Sequence, residues 1–379
     1  MKNKTAFILQ ATTHNTTNIQ PRIAALDGLR GFAALLIIIW HYIPNNLTAG
    51  TNNFFIYVKM ITAYLWTGVD LFFVLSGFLL GGILLDNRSS NNYFKTFYTR
   101  RFYRLLPVYY ITILLVFIIC SLGIGANTVW SFNAAVPNYS YLLFIQNIFV
   151  GINQAFGNYW LAHTWSLALE EQFYLLLPLL IYFLKRKYLL TLLVACSISA
   201  VFFRLYIGNR YGSSNFIFCR FDALFLGVLA AIAWRNNMLR LRIIKHVQAI
   251  TIIVTVMLFI SLAFSLHMLH INFYVSNTWF AIMYALLILV VIAGGNFYAK
   301  LFNNKILVYI GTISYGLYLF HPIMLGLVFF LIGDIVPQLS SWFHLMLTGI
   351  SFALSILVAH FSYFYFEKRF IKMGHKSNY

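Results

Sequence analysis

Arg30 and His41 stand eleven positions apart in the run RGFAALLIIIWH, a fixed cation and a titratable imidazole on one apolar stretch. If the run is helical, the imidazole lies about 16 Å deeper than the guanidinium. An ionisable group that far into hydrocarbon is costly and normally faces a protein cavity. A histidine there can exchange a proton near neutral pH and act as a general base. An arginine near the helix end can grip a phosphate in bidentate fashion, or simply anchor the helix at the interface.

The elements that hold these residues must be membrane helices. The chain of 379 residues is 61% hydrophobic and 9% charged, whereas soluble domains carry about 25% charged residues. Apolar segments long enough to span fall near 31–44, 64–85, 107–124, 165–184, 188–207, 221–234, 248–266, 276–294, 306–332 and 343–366. The expected fold is therefore an all-α polytopic membrane protein of about ten transmembrane helices. Residues 1–20 read as a polar tail without the apolar run of a signal peptide, 21–370 as one membrane domain, and 371–379 as a short basic tail. Between spans, 86–106 reads as a long basic and aromatic inner loop. The stretch YLLFIQNIFVGI within 125–163 reads as interfacial or re-entrant.

A net charge of +18 suggests nucleic acid until the charges are located. With the N-terminus inside, 22 of the 26 Lys and Arg fall on inner segments, leaving Lys59, Arg204, Arg210 and Arg220 toward the other face. That asymmetry is the positive-inside pattern, with both termini cytoplasmic, and it removes the need for a nucleic-acid partner. Acidic lipid headgroups are the natural counter-charge.

Several acidic residues sit deep in the spans. Asp70 lies about 24 Å above Asp86, and Glu170 about 22 Å above Lys185. Asp222 lies about 20 Å above Arg235, and His321 about 24 Å above Lys305. With His41, five helices carry ionisable groups into the middle and outer half of the bilayer. A shared polar cavity or scattered ion pairs would both produce this, and cavities of that kind serve transporters as well as enzymes. Cys120, Cys196 and Cys219 make no metal spacing or disulfide set, and no metal, nucleotide or flavin motif occurs.

Six motifs in order choose between these classes. They are RIAALDGLRGFAALLIIIWHY, GVDLFFVLSGFLL, YTRRFYRLLPVYY, HTWSLALEEQFYLLLP, RFDALFLG and ISYGLYLFHP. Together the chain resembles the acyltransferase-3 family of integral-membrane acyltransferases over about residues 21–370. The resemblance implies an O-acyltransferase of the bacterial inner membrane. Such an enzyme moves an acyl group, usually acetyl from cytoplasmic acetyl-CoA, to a hydroxyl of O-antigen, exopolysaccharide or a lipid-linked saccharide. Acyl-CoA is then a substrate, and no cofactor stays bound. Some family members add an esterase-like domain, which is not expected here because the sequence stops at Tyr379. The rival from another class is a proton-coupled transporter or flippase of a lipid-linked saccharide.

Within that reading His41 is the general base. Arg30, Arg100, Arg101 and Arg104 are candidates for the CoA phosphates, the last three also being explicable as positive-inside residues. Asp70 and Glu170 are candidates to orient or charge-balance His41. Asp222 reads as a cavity residue or as a local partner of Arg220. Ser166, four before Glu170, shares its helical face and is a candidate acyl relay or a serine bonded to backbone. His321, before Pro322, is a candidate cavity residue. His163 reads as an outer-mouth residue touching saccharide or water. His267, His270, His344 and His360 receive no role.

Overall fold

The computed structural model describes residues 23–47, 53–123, 131–208, 212, 215–266, 273–334 and 336–379. The polar tail at 1–20, Arg210, His267 and His270 lie outside the described residues. Among the described residues, ten helices are long and apolar enough to cross a membrane, one on each expected segment. No strand forms among them, and an isolated parallel bridge pairs Leu47 with Leu339. The protein is an all-α multi-pass membrane protein.

In chain order the helices are α1 (Ala24–Tyr42), α2 (Asn53–Thr62), α3 (Gly68–Asp86) and α4 (Tyr93–Ser121). Short α5 (Asn138–Leu142) and α6 (Gln146–Asn153) precede a 3-10 helix, Tyr159–Thr164, that runs straight into α7 (Trp165–Phe183). Then come α8 (Arg186–Ile207), α9 (Phe221–Arg235), α10 (Asn237–Lys245), α11 (Val247–Ser265) and α12 (Phe273–Ala293). The chain closes with α13 (Phe297–Phe302), α14 (Lys305–Leu331), α15 (Trp342–Phe361), a π-helical turn at Ser362–Glu367 and α16 (Lys368–Gly374). Asparagine and serine caps set several starts: Asn158, Asn236, Asn296, Asn304 and Ser341 each accept from a backbone N–H of the following turn.

Two helix pairs form the centre, α1 against α14 and α3 against α9, with α1 also packed on α3. Glycine permits both crossings. A Cβ on Gly311 would overlap the carbonyl oxygen of Asp27, and one on Gly227 would overlap that of Val74. Small residues let the backbones approach where lipid offers no hydrophobic push between helices. Around this centre, α8 and α11 turn residues such as Phe202, Leu205, Ile252 and Phe259 outward, as a lipid-facing wall should.

One end of the bundle is basic and tied together. Arg235 grips Asp86 through two bonds of 2.6 Å, and Arg88 donates to the carbonyls of Tyr182 and Leu184. The expected loop at 86–106 is corrected here: residues from Tyr93 onward are the first turns of α4, which runs through Pro107 without ending. Buried Tyr93 and Phe97 and the bond from Thr96 to the Asn378 carbonyl hold those turns against the protein. Proline inside a membrane helix is tolerated because neighbours satisfy the freed carbonyl. The stretch YLLFIQNIFVGI forms parts of two short helices joined by a turn, rather than a span.

Candidate active site

His41 leaves the last turn of α1, and His321 lies in the middle of α14 beside it. Their rings meet with His321 Nε2 3.2 Å from His41 Nδ1. Hydrogen positions follow from the partners. His321 Nδ1 is 2.6 Å from the Tyr318 carbonyl, which can only accept, so that nitrogen carries the hydrogen. In the neutral ring Nε2 is then a bare acceptor. His41 Nδ1 faces two acceptors, this Nε2 and the Ile37 carbonyl at 3.0 Å, and therefore carries its own hydrogen. His41 Nε2 is left as the unprotonated, base-competent nitrogen. The pair is braced from α15 and α1, because Tyr42 donates to the His321 carbonyl at 2.8 Å and contacts Ser355 at 2.8 Å.

A third histidine completes the cluster. His163, on the 3-10 helix before α7, stacks edge-on against His321 with centroids 5.2 Å apart and against Tyr318 at 5.0 Å. It is 3% exposed, and neither ring nitrogen has a hydrogen-bond partner among the described residues. Its placement is built: Gln146 of α6 donates to the Thr164 carbonyl at 3.0 Å, and Trp160 is fully buried against Gly326 of α14. The expectation of an outer-mouth position is thus corrected, since the 3-10 helix packs inward. The signal available was three-residue spacing, which sets His163 with Ser166 and Tyr318 with His321 on shared faces.

Below the histidines lies a cavity of about 400 Å³ that reaches the basic end. Its walls include Ile37, Phe72, Leu79 and Leu80, and its upper end carries Ser166 and Tyr318, whose hydroxyls are 2.6 Å apart. Tyr318 also donates to the His163 carbonyl at 2.9 Å, joining the cavity's end to the histidine layer. Arg30, Arg101 and Arg104 line it with Asp27, Glu170, Glu367 and His375. Arg30 reaches Ser314 at 3.2 Å and Asp27 at 3.5 Å. Arg101 lies over the Tyr174 ring. Desolvation, then the Arg100, Arg104 and Arg101 cations, hold His375 below its ordinary value.

Other candidates are seated elsewhere. Glu170 accepts from Ser76 at 2.8 Å and Tyr174 at 3.0 Å, so it is a cavity carboxylate engaged away from His41. Asp70 is fully buried 2.7 Å from Arg220, which also binds Asn277 at 2.9 Å, so its partner is an arginine rather than His41. Asp222 pairs with Arg204 at 2.7 Å and Thr278 at 2.5 Å; its partner is not Arg220, and it does not line the cavity. The common depth of the five groups thus resolves into two clusters, with Glu170 apart from both on the cavity wall. A buried ion-pair belt joins α3, α8, α9 and α12, while the histidines join α1, α14 and the 3-10 helix. Arg100 turns away from the cavity to the C-terminal residues, donating to the Ser377 carbonyl at 3.0 Å. Glu367, given no role from the sequence, is 3% exposed on the π-helical turn and accepts from Ser362 at 2.8 Å.

Residues 23–360 match the family described as acyltransferase domain. The chain belongs to this acyltransferase family. It is 29% identical over 94% of its length to "Putative O-acetyltransferase SACOL0978" of Staphylococcus aureus (strain COL). It is 28% identical over 94% of its length to "O-acetyltransferase OatA" of Staphylococcus aureus (strain NCTC 8325 / PS 47). The chain spans 58% of the length of each of these relatives. No solved structure matches. The family match runs from α1 into the last turn of α15, and so includes all three histidines and the arginines of α4.

Proposed function

We propose that this acyltransferase-family protein is a membrane-embedded O-acyltransferase that moves acetyl from acetyl-CoA to a hydroxyl of a cell-envelope carbohydrate. The observation that carries this reading is the continuity from a cationic mouth, through an apolar cavity, to hydroxyls that touch the His163–His321–His41 layer. The basic end faces the cytoplasm by the positive-inside rule, in the inner membrane of a bacterium. Acyl-CoA enters there. Arg101 and Arg104, which have no carboxylate within ion-pair distance among the described residues, take the phosphates, with Arg30 deeper in. The apolar walls hold the pantetheine arm and aim the thioester toward Ser166 and Tyr318.

His41 Nε2 then takes the proton of the acceptor hydroxyl as its oxygen attacks the thioester carbonyl. His321 holds the reactive tautomer and shares the imidazolium's other N–H, the orienting part a carboxylate plays in hydrolase triads. Collapse of the tetrahedral intermediate breaks the C–S bond. His41 returns the proton to the departing CoA thiolate. Ester and free CoA are the products, and no redox partner is required.

The test is acetyl transfer from radiolabelled acetyl-CoA in membranes holding wild type or His41→Ala at matched expression. Base-labile label on envelope glycan from wild type alone is expected. Equal label from both variants would remove His41 as the base. No label from either, together with saccharide transport across the membrane, would replace the enzyme reading with the transporter.

A further inference from the structure

The three elements that converge on the histidine layer also end together, and what they build there is a second pocket. Past His41, α1 gives way to Asn45 and Asn46; Tyr159 opens the 3-10 helix that carries His163; Asp334 and Gln338 follow α14, which carries His321. These residues line a pocket of about 470 Å³ at the end of the bundle opposite the basic one. The chain is fastened into this shape. Leu339 donates to the Asn46 carbonyl at 2.7 Å, Tyr159 donates to Asn46 Oδ1 at 3.4 Å, and Asn46 donates to the carbonyl of His41 itself.

We propose that this pocket is the acceptor subsite and that it takes a neutral sugar ring, an inference that rests on the acyltransferase reading. Its chemistry is the complement of the cavity below. The cavity's mouth holds arginines, whereas among the described residues no Lys or Arg lines the pocket and the one ionic group there is a carboxylate, Asp334, shared with His344 at 3.4 Å. Phosphates and uronates are therefore disfavoured here. Asn45 and Gln338 offer both donors and acceptors for vicinal hydroxyls, and the Tyr159 ring offers an apolar face with a polar edge. Asn45 lies four residues beyond His41, in the turn that follows α1. A sugar seated on that rim can lower one hydroxyl to His41 Nε2 while its other hydroxyls stay on the amides. Donor and acceptor then approach the base from opposite sides, and each side's charge rejects the wrong substrate.

Two readouts test this on the full chain in lipid nanodiscs. In a Cys120→Ser, Cys196→Ser, Cys219→Ser background, Asn45→Cys and Gln338→Cys are labelled with an impermeant maleimide. Neutral glucose and N-acetylglucosamine trisaccharides are the probes, with trigalacturonate as the anionic comparison. Protection by a neutral trisaccharide at millimolar concentration, and at least tenfold weaker protection by trigalacturonate, is expected. In turnover, Asn45→Leu and Gln338→Leu are expected to raise the acceptor KM more than tenfold, with the acetyl-CoA KM moving less than threefold. Equal or better protection by trigalacturonate would overturn the proposal. So would unprotected cysteines in a protein that still acetylates its host's glycan, because the acceptor would then bind elsewhere. Protection without any transfer from acetyl-CoA would instead sink the acyltransferase reading and leave a sugar-binding pocket. Neither protection nor transfer would overturn both.

Discussion

His321 Nε2 lies 3.2 Å from His41 Nδ1 across 280 residues of sequence. Because His321 Nδ1 is committed to a carbonyl, this contact fixes which nitrogen of His41 is bare. His41→Ala is expected to slow acetyl transfer by about 10²–10⁴-fold, the usual worth of a positioned base. His321→Phe, which keeps the volume and deletes the acceptor, should cut kcat at least about tenfold by releasing the tautomer. Steady-state rates with separate acetyl-CoA and acceptor titrations check both. A fall confined to KM would contradict the orienting role.

The Asp70–Arg220 pair is expected to act on stability rather than in the chemistry. Both side chains are at most 2% exposed, and removing one partner of such a pair costs about 3–5 kcal/mol. Asp70→Leu should lower the thermal midpoint and the yield of monodisperse protein in detergent. The double variant Asp70→Leu, Arg220→Leu should recover most of that loss, since no unpaired charge remains. An inactive Asp70→Leu protein of normal thermal stability would show that Asp70 acts in the chemistry instead.

Neighbouring arginines on α4 should separate cleanly. Arg101→Gln and Arg104→Gln each remove a charged donor from the cavity mouth, worth about 1.5–3 kcal/mol, or roughly ten- to a hundredfold in acetyl-CoA KM. Arg100→Gln disturbs only a partly exposed tie to the C-terminal residues and should move that KM less than about threefold. Donor titrations at saturating acceptor measure all three.

Ser166 tests direct transfer against a relay. Its hydroxyl is held by Tyr318 and the His163 carbonyl, an arrangement that suits a wall of the cavity. Ser166→Ala should retain turnover within about tenfold of wild type, and acid-quenched wild type should carry no hydroxylamine-labile acetyl group on Ser166. Stoichiometric label there, lost in the variant, would require an acyl-enzyme.

The sequence alone determined whatever depends on composition and local pattern. Ten apolar runs sufficed for ten spans, because hydrocarbon forces every backbone group into a helix. Arg30 and His41 were legible because an ionisable residue inside an apolar run is costly and so conspicuous. The partners of those groups were not legible. Asp70, Asp222 and His41 share a depth, but depth is a single coordinate, and only helix packing decides which faces meet. Glycine crossings turn α3 toward α9 and α1 toward α14, so the carboxylates go to Arg220 and Arg204 and the imidazole goes to His321. His163 was hidden for the same reason. A 3-10 helix anchored by Gln146 and by Trp160 against Gly326 carries it inward, and its spacing to Ser166 marks a shared face without saying which way that face turns.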